Sequence, residues 1–118
     1  MTVRRLKTYA GSQGYVYQYC FVGKRPAGPA PAEAVEYIFE VTSDRKQTYP
    51  VSVVLPRQAV VAWAEFHLRP LADSEQYAAV KLRLFRAFDE LDDVQSKGGQ
   101  LYIDSGFLEE SLASLGVE

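Results

Sequence analysis

Residues 35–55 read VEYIFEVTSDRKQTYPVSVVL, and this stretch decides the fold. Val35, Tyr37, Phe39 and Val41 alternate with Glu36, Ile38 and Glu40. Tyr49, Val51, Val53 and Leu55 alternate with Pro50, Ser52 and Val54. A strand sends successive side chains to opposite faces, so each run presents one apolar face. A helix would scatter the same residues around its cylinder. The polar run Thr42-Ser43-Asp44-Arg45-Lys46-Gln47-Thr48 lies between them and predicts a hairpin turn. Pro50 cannot donate a ladder hydrogen bond, so its strand starts there or lies at an edge.

Upstream the same period continues. Tyr15, Tyr17, Tyr19 and Phe21 share one strand face, and Val16, Gln18, Cys20 and Val22 share the other. A weaker strand at about 4–9 pairs with it across 10–14. Residues 23–34 are rich in proline, alanine and glycine and predict a long flexible loop within one domain covering 1–118.

Downstream the period becomes helical. Pro56 suits a first helical turn. Ala59, Val60, Trp63 and Ala64 form a stripe, and Pro70 stops this helix by about Leu68. Asp73 is the expected N-cap of the next helix, with Gln76 as its capping-box partner. Tyr77, Leu84, Phe85, Phe88 and Leu91 give that helix an apolar side, and Lys97-Gly98-Gly99 ends it. Leu101-Tyr102-Ile103 reads as a short strand. A last helix opens at Asp104 or Ser105 and closes at Gly116, with Val117 folding back on Leu112. The predicted class is α+β: an antiparallel sheet of four to five strands, in the order ββββ-α-α-β-α, with about three helices mainly on one face.

The 118 residues are 47% hydrophobic and 24% charged, within the globular range. The net charge of −2 does not point to a polyanionic partner. It is uneven, at +4 over residues 1–60 and −6 over 61–118. The single cysteine, Cys20, allows no internal disulfide and favours a reducing compartment. The basic start is followed by a polar run, Thr8 to Gly14, rather than an apolar core of a signal peptide. No apolar run approaches the ~20 residues of a membrane span. A cytoplasmic domain without a membrane is expected.

Few residues carry chemistry. Cys20 on a strand face reads as a buried, inert thiol. His67 at a helix end reads as an exposed capping residue. One cysteine and one histidine do not make the usual soft-metal ligand sets. Asp89, Glu90, Asp92 and Asp93 read as a solvated acidic face that opposes the helix dipole, a contact surface for a basic partner at most. Gly11-Ser12-Gln13-Gly14, Gly98-Gly99 and Asp104-Ser105-Gly106 match no phosphate-binding or nucleophile-elbow pattern. No catalytic residue, cofactor or metal is expected.

Three surfaces remain. Val16, Cys20, Val22, Ile38 and Val54 share a face too apolar for water, which predicts a homodimer or a protein partner. Arg4, Arg5, Lys7, Lys24 and Arg25 flank the tyrosine-bearing strand, a pattern that can stack bases and hold phosphates. The pI of about 5.4 weighs against a nucleic-acid specialist. Tyr19, Tyr37, Trp63 and Phe88 could line a pocket between sheet and helices. The expected function is a non-enzymatic interaction domain, with nucleic-acid and small-molecule binding as the alternatives.

Overall fold

A computed structural model describes residues 6–12, 14–28, 33–90 and 99–117. Strands β1 (Lys7–Ala10), β2 (Val16–Ala27), β3 (Ala34–Thr42) and β4 (Tyr49–Pro56) come first. Helices α1 (Arg57–His67) and α2 (Asp73–Glu90) follow, then β5 (Gln100–Tyr102) and α3 (Ser105–Ser114). The class is α+β, as the period switch predicts.

The five strands form one sheet in the order β1-β2-β3-β4-β5. The first three pairings are antiparallel, but β5 runs parallel to β4. An all-antiparallel sheet was expected, and the connection explains the difference. Two helices carry the chain from the end of β4 back past its start, and a crossover of that length returns a parallel strand. Gly99 makes the entry into β5 workable. Its φ is +64°, and a Cβ there would lie 2.9 Å from the Pro50 carbonyl oxygen.

The predicted 23–34 loop is shorter than expected. Residues 23–27 pair with 34–38, so β2 and β3 extend as a long ribbon. Pro26 is tolerated because this part of β2 has only β3 beside it among the described residues. A register shift between Phe21 and Gly23 leaves Val22 as the extra residue of a β-bulge. The bulge has a consequence for the side chains that follow. Lys24 pairs with Tyr37 on the helix side, while Arg25 pairs with Glu36 on the other side.

The polar run after β3 folds on Asp44. Its carboxylate accepts the N–H groups of Lys46 and Gln47 at 2.8 and 3.0 Å. Those bonds hold the Asp44 carboxyl below its usual range.

The helices cover one face. Tyr17, Tyr19, Tyr37, Phe39, Val41, Val51, Val53 and Leu55 of the sheet meet Ala59 and Trp63 of α1. The same core holds Val80, Leu84 and Phe88 of α2 and Leu108 and Leu112 of α3. Phe88 stacks on Tyr17 at 4.2 Å between ring centroids. Fully burying a side chain of this size contributes roughly 1.5–3 kcal/mol, so the aromatic layer is the main anchor of α2. Leu71, between α1 and α2, is buried in the same cluster.

The α2 N-terminus is built one residue earlier than the sequence suggests. Ala72 occupies the cap position, its carbonyl accepting from Glu75 and Gln76. Glu75, three residues on, reaches back to the Ala72 N–H at 2.8 Å. Gln76 instead donates to the Leu71 carbonyl. Arg69 explains the shift, because its guanidinium grips both Glu75 carboxylate oxygens at 3.0 Å. The expected end of α2 at Lys97-Gly98-Gly99 falls on residues 91–98, outside the described residues except for Gly99, and the helix is described to Glu90.

The last helix follows expectation closely. Asp104 accepts the Phe107 N–H at 2.7 Å as N-cap. Gly116, at φ +78°, and the Val117 N–H bonded to the Leu112 carbonyl close the other end.

Candidate functional site

The face of the sheet away from the helices is open among the described residues. Cross-strand register places Ala10 beside Val16, Cys20 beside Glu40 and Pro50, and Ile38 beside Ser52 and Gln100. The next row is Arg25, Glu36, Val54 and Tyr102. Of the five residues expected to form an interface, register puts Val16, Cys20, Ile38 and Val54 on this side, and Val22 is the unpaired residue of the bulge. Val16 and Val22 are exposed, Ile38 is half-buried, and Cys20 and Val54 are shielded by neighbouring side chains.

The face is less uniformly apolar than the alternation suggests. Glu36 lies in its middle and is only 8% exposed. Arg25 pairs with its carboxylate, and Ser52 and Gln100 also bond to it. The guanidinium first, then those two side chains, hold the Glu36 carboxyl below its usual range against the opposing effect of burial. Its partners Arg25, Ser52 and Gln100 surround it, and the helices pack on the other face of the sheet. Tyr102 extends this network, its hydroxyl donating to Gln100 Oε1 at 2.7 Å. Tyr102 is itself 59% exposed. The result is a polar seam with Val16, Val22, Ile38 and Tyr102 around it. Tyr102 was missed from the sequence, although Leu101 and Ile103 alternate with it and point inward.

The tyrosine strand turns its rings the other way. Tyr17 and Tyr19 are buried under α2 and are not available for stacking. Tyr15 and Phe21, at the two ends of that run, remain exposed. Among the basic residues, Arg4 and Arg5 lie outside the described residues. Arg25 belongs to the open face. Lys7 and Lys24 come to the helix side, because Lys7 pairs with Tyr19 and Lys24 with Tyr37. There Lys7 shares the surroundings of Tyr19 with Lys81 of α2, while Lys24 lies farther along over Tyr37. The Lys81 ammonium lies 6.0 Å from the Tyr19 ring, 5.9 Å from Tyr77 and 5.7 Å from Phe85. Lys81 was not singled out from the sequence. The available signal was its spacing, four residues from both Tyr77 and Phe85 on one helix side.

Tyr19, Tyr37, Trp63 and Phe88 all sit within the packed core. The depressions in the surface lie elsewhere. One, of about 330 Å³, is lined by Gln58, Ala59, Ala62, Ile103, Asp104 and Ser105. A smaller one, of about 130 Å³, lies among Ala34, Val35, Leu55, Arg57, Val60 and Gln76. In the first, the Asp104 carboxylate beside Ser105 accepts the Phe107 N–H as the cap of α3.

His67 departs from the expected exposed cap. Its side chain is only 13% exposed and stacks on Trp63 at 4.1 Å. Its Nε2 lies 2.9 Å from both carboxylate oxygens of Glu109 on α3. It therefore ties α1 to α3. Cys20 is buried on the opposite side of the sheet from α1, so no cysteine–histidine pair forms. Asp89 is likewise structural. It accepts the Tyr9 hydroxyl at 2.8 Å and the Ser12 N–H at 3.0 Å, fastening the β1–β2 turn to α2. Gly11 permits that approach, since a Cβ there would stand 2.6 Å from the Phe88 carbonyl oxygen. Glu90 pairs with Arg86, and Asp92 and Asp93 lie outside the described residues.

Among the described residues there is no cluster of three metal-ligating side chains, and no helix is long and apolar enough to cross a membrane. Comparison of the chain with protein-family models, with curated proteins and with solved structures yields no match. What fold and surface define is an α+β domain with one helix-covered sheet face and one open face.

Proposed function

We propose that this domain is a non-enzymatic interaction module that forms a homodimer through the open face of its sheet. The supporting observation is the composition of that face: exposed Val16, Val22 and Tyr102 around the Arg25–Glu36 pair. Tyrosine and arginine among aliphatic residues are the chemistry of interface hot spots. The face carries both signs of charge, Arg25 with Glu36 and Glu40. A two-fold axis passing midway between Arg25 and Glu40 would set each against the other on the second copy, so the face has the charges for a self-complementary contact. Strands spaced ~4.8 Å apart make five of them about 24 Å wide, a planar area on the order of 600 Å² for strands of this length, at the low end of specific interfaces. A standard interface uses about 800 Å² per partner. The lone, shielded Cys20 fits a cytoplasmic setting, where no disulfide is needed.

Light scattering tests this directly. The expected mass is twice 13.2 kDa. Replacing Val16 and Tyr102 together with aspartate should yield a monomer with unchanged circular dichroism. A wild-type protein that stays monomeric at high micromolar concentration would refute self-association.

A further inference from the structure

Three lysines lie along the rim where β1 and β2 meet α2, and among the described residues none of them enters an ion pair. Among the described residues, the basic side chains paired with a carboxylate are Arg25, His67, Arg69 and Arg86. Lys7 projects from β1 beside Tyr19. Lys81 reaches the same place from α2, its ammonium 6.0 Å from the Tyr19 ring. Two ammonium groups so placed repel each other. Burial, and then Lys7, hold the Lys81 amine below its usual value. An anion seated between the two would remove that repulsion, whereas nothing else in the described surroundings does.

The rings beside these cations are as informative as the charges. Phe21 follows Tyr19 on the same strand face and is 39% exposed. It meets Tyr77 edge-on at 5.1 Å, and Tyr77 stacks on Phe39 at 6.3 Å. The packing below holds the Phe21 ring while part of its surface stays open. Beyond it, the Lys24 ammonium lies 5.7 Å from the Tyr37 ring. The order along this rim is cation pair, exposed ring, cation. Without the bulge at Val22, Lys24 would point to the opposite side of the sheet.

We propose that this rim, Lys7 and Lys81 with Phe21 and Lys24, binds a nucleotide, its phosphate between Lys7 and Lys81 and its base against Phe21. Aromatic rings accept any base by stacking, and lysines hold phosphate as point charges. The ligand is either a free nucleotide or a residue of a single strand. Geometry separates the two. A strand rises about 3.3 Å per residue, so the Lys7–Lys81 pair and Lys24 stand on the order of 13–16 Å apart. A mononucleotide phosphate uses the first pair alone, whereas a strand reaches Lys24 as well. The site lies on the helix side and does not depend on the self-association proposed for the open face.

The test uses the whole chain and two probes, AMP by calorimetry and a fluorescein-labelled oligothymidine by polarisation. Lys81→Gln should weaken the bound probe about tenfold, Phe21→Leu by a similar factor, and Lys81→Arg should restore most of the loss. Lys46→Gln, in the β3–β4 turn, should leave binding unchanged. Sensitivity of the oligothymidine to Lys24→Gln, with AMP unaffected or not bound, identifies a strand as the source. AMP binding that ignores Lys24→Gln, with no added affinity for the oligothymidine, identifies a free nucleotide. The proposal is overturned if neither probe binds at millimolar concentration, or if Lys81→Gln binds as the wild type does.

Discussion

Leu68 ends α1 in left-handed backbone, at φ 60°, with 89% of its surface exposed. A side chain in that conformation costs about 1 kcal/mol or more relative to glycine, and here no burial offsets it. Leu68→Gly should therefore raise stability by about 1 kcal/mol, read as a higher urea midpoint with unchanged slope. Glu75 shows the opposite economy, a residue held by several partners at once. Arg69, and then the Ala72 N–H, hold its carboxyl at about 2, against an ordinary value of 4.5. Because the folded-state value is the lower one, its contribution is complete above pH 4.5 and is lost as pH falls towards 2. Urea midpoints of wild type and Glu75→Gln should differ at pH 6 and converge near pH 2. Identical pH profiles for the two proteins would refute that role. Glu75 finds its partners only three and six residues away, whereas His67 and Asp89 meet Glu109 and Tyr9, 42 and 80 positions away, which no local pattern names.

At the scale of elements, caps follow local chemistry when nothing tertiary competes. Asp104 caps α3 as expected, and its replacement by alanine should cost about 1 kcal/mol, measurable by denaturant titration. A change within error would show that the Phe107 N–H finds another acceptor. At the start of α2 a cation six residues before Glu75 intervenes. Arg69 captures Glu75, so the box closes on Ala72 rather than on Asp73. The strands divide in the same way. Alternation identified β3 and β4 residue by residue, because both faces of each strand differ strongly in polarity. It could not locate the bulge at Val22, since a strand of mixed character pairs equally well on paper in either register. That one residue separates Lys24 from Arg25 onto opposite faces.

For the whole molecule, the dominant asymmetry is between two sides of one sheet. The helix side is filled with rings, and the open side carries an ion pair among exposed aliphatic and aromatic groups. If the open side is the dimer surface, folding and association are linked. The thermal midpoint should then rise with protein concentration in the wild type and not in the Val16/Tyr102 double aspartate variant. The candidate interface was legible as a face, because period two groups its members. Its polar seam was not, because Arg25, Ser52 and Gln100 reach Glu36 from three other strands, and Tyr102 joins through Gln100. The lysine rim has the same origin. Lys7, Lys24 and Lys81 come from β1, β2 and α2, and only packing brings them together.

By itself the sequence determined the class, the order of the elements, the hairpin of β3 and β4, and the capped α3. Each of those rests on spacing within a few residues, where backbone geometry ties side-chain direction to position. The tertiary structure alone decided that β5 runs parallel, that the tyrosine face lies under the helices, and which charges meet. Those outcomes depend on pairing and packing between segments tens of residues apart, and local periodicity carries no record of such partners.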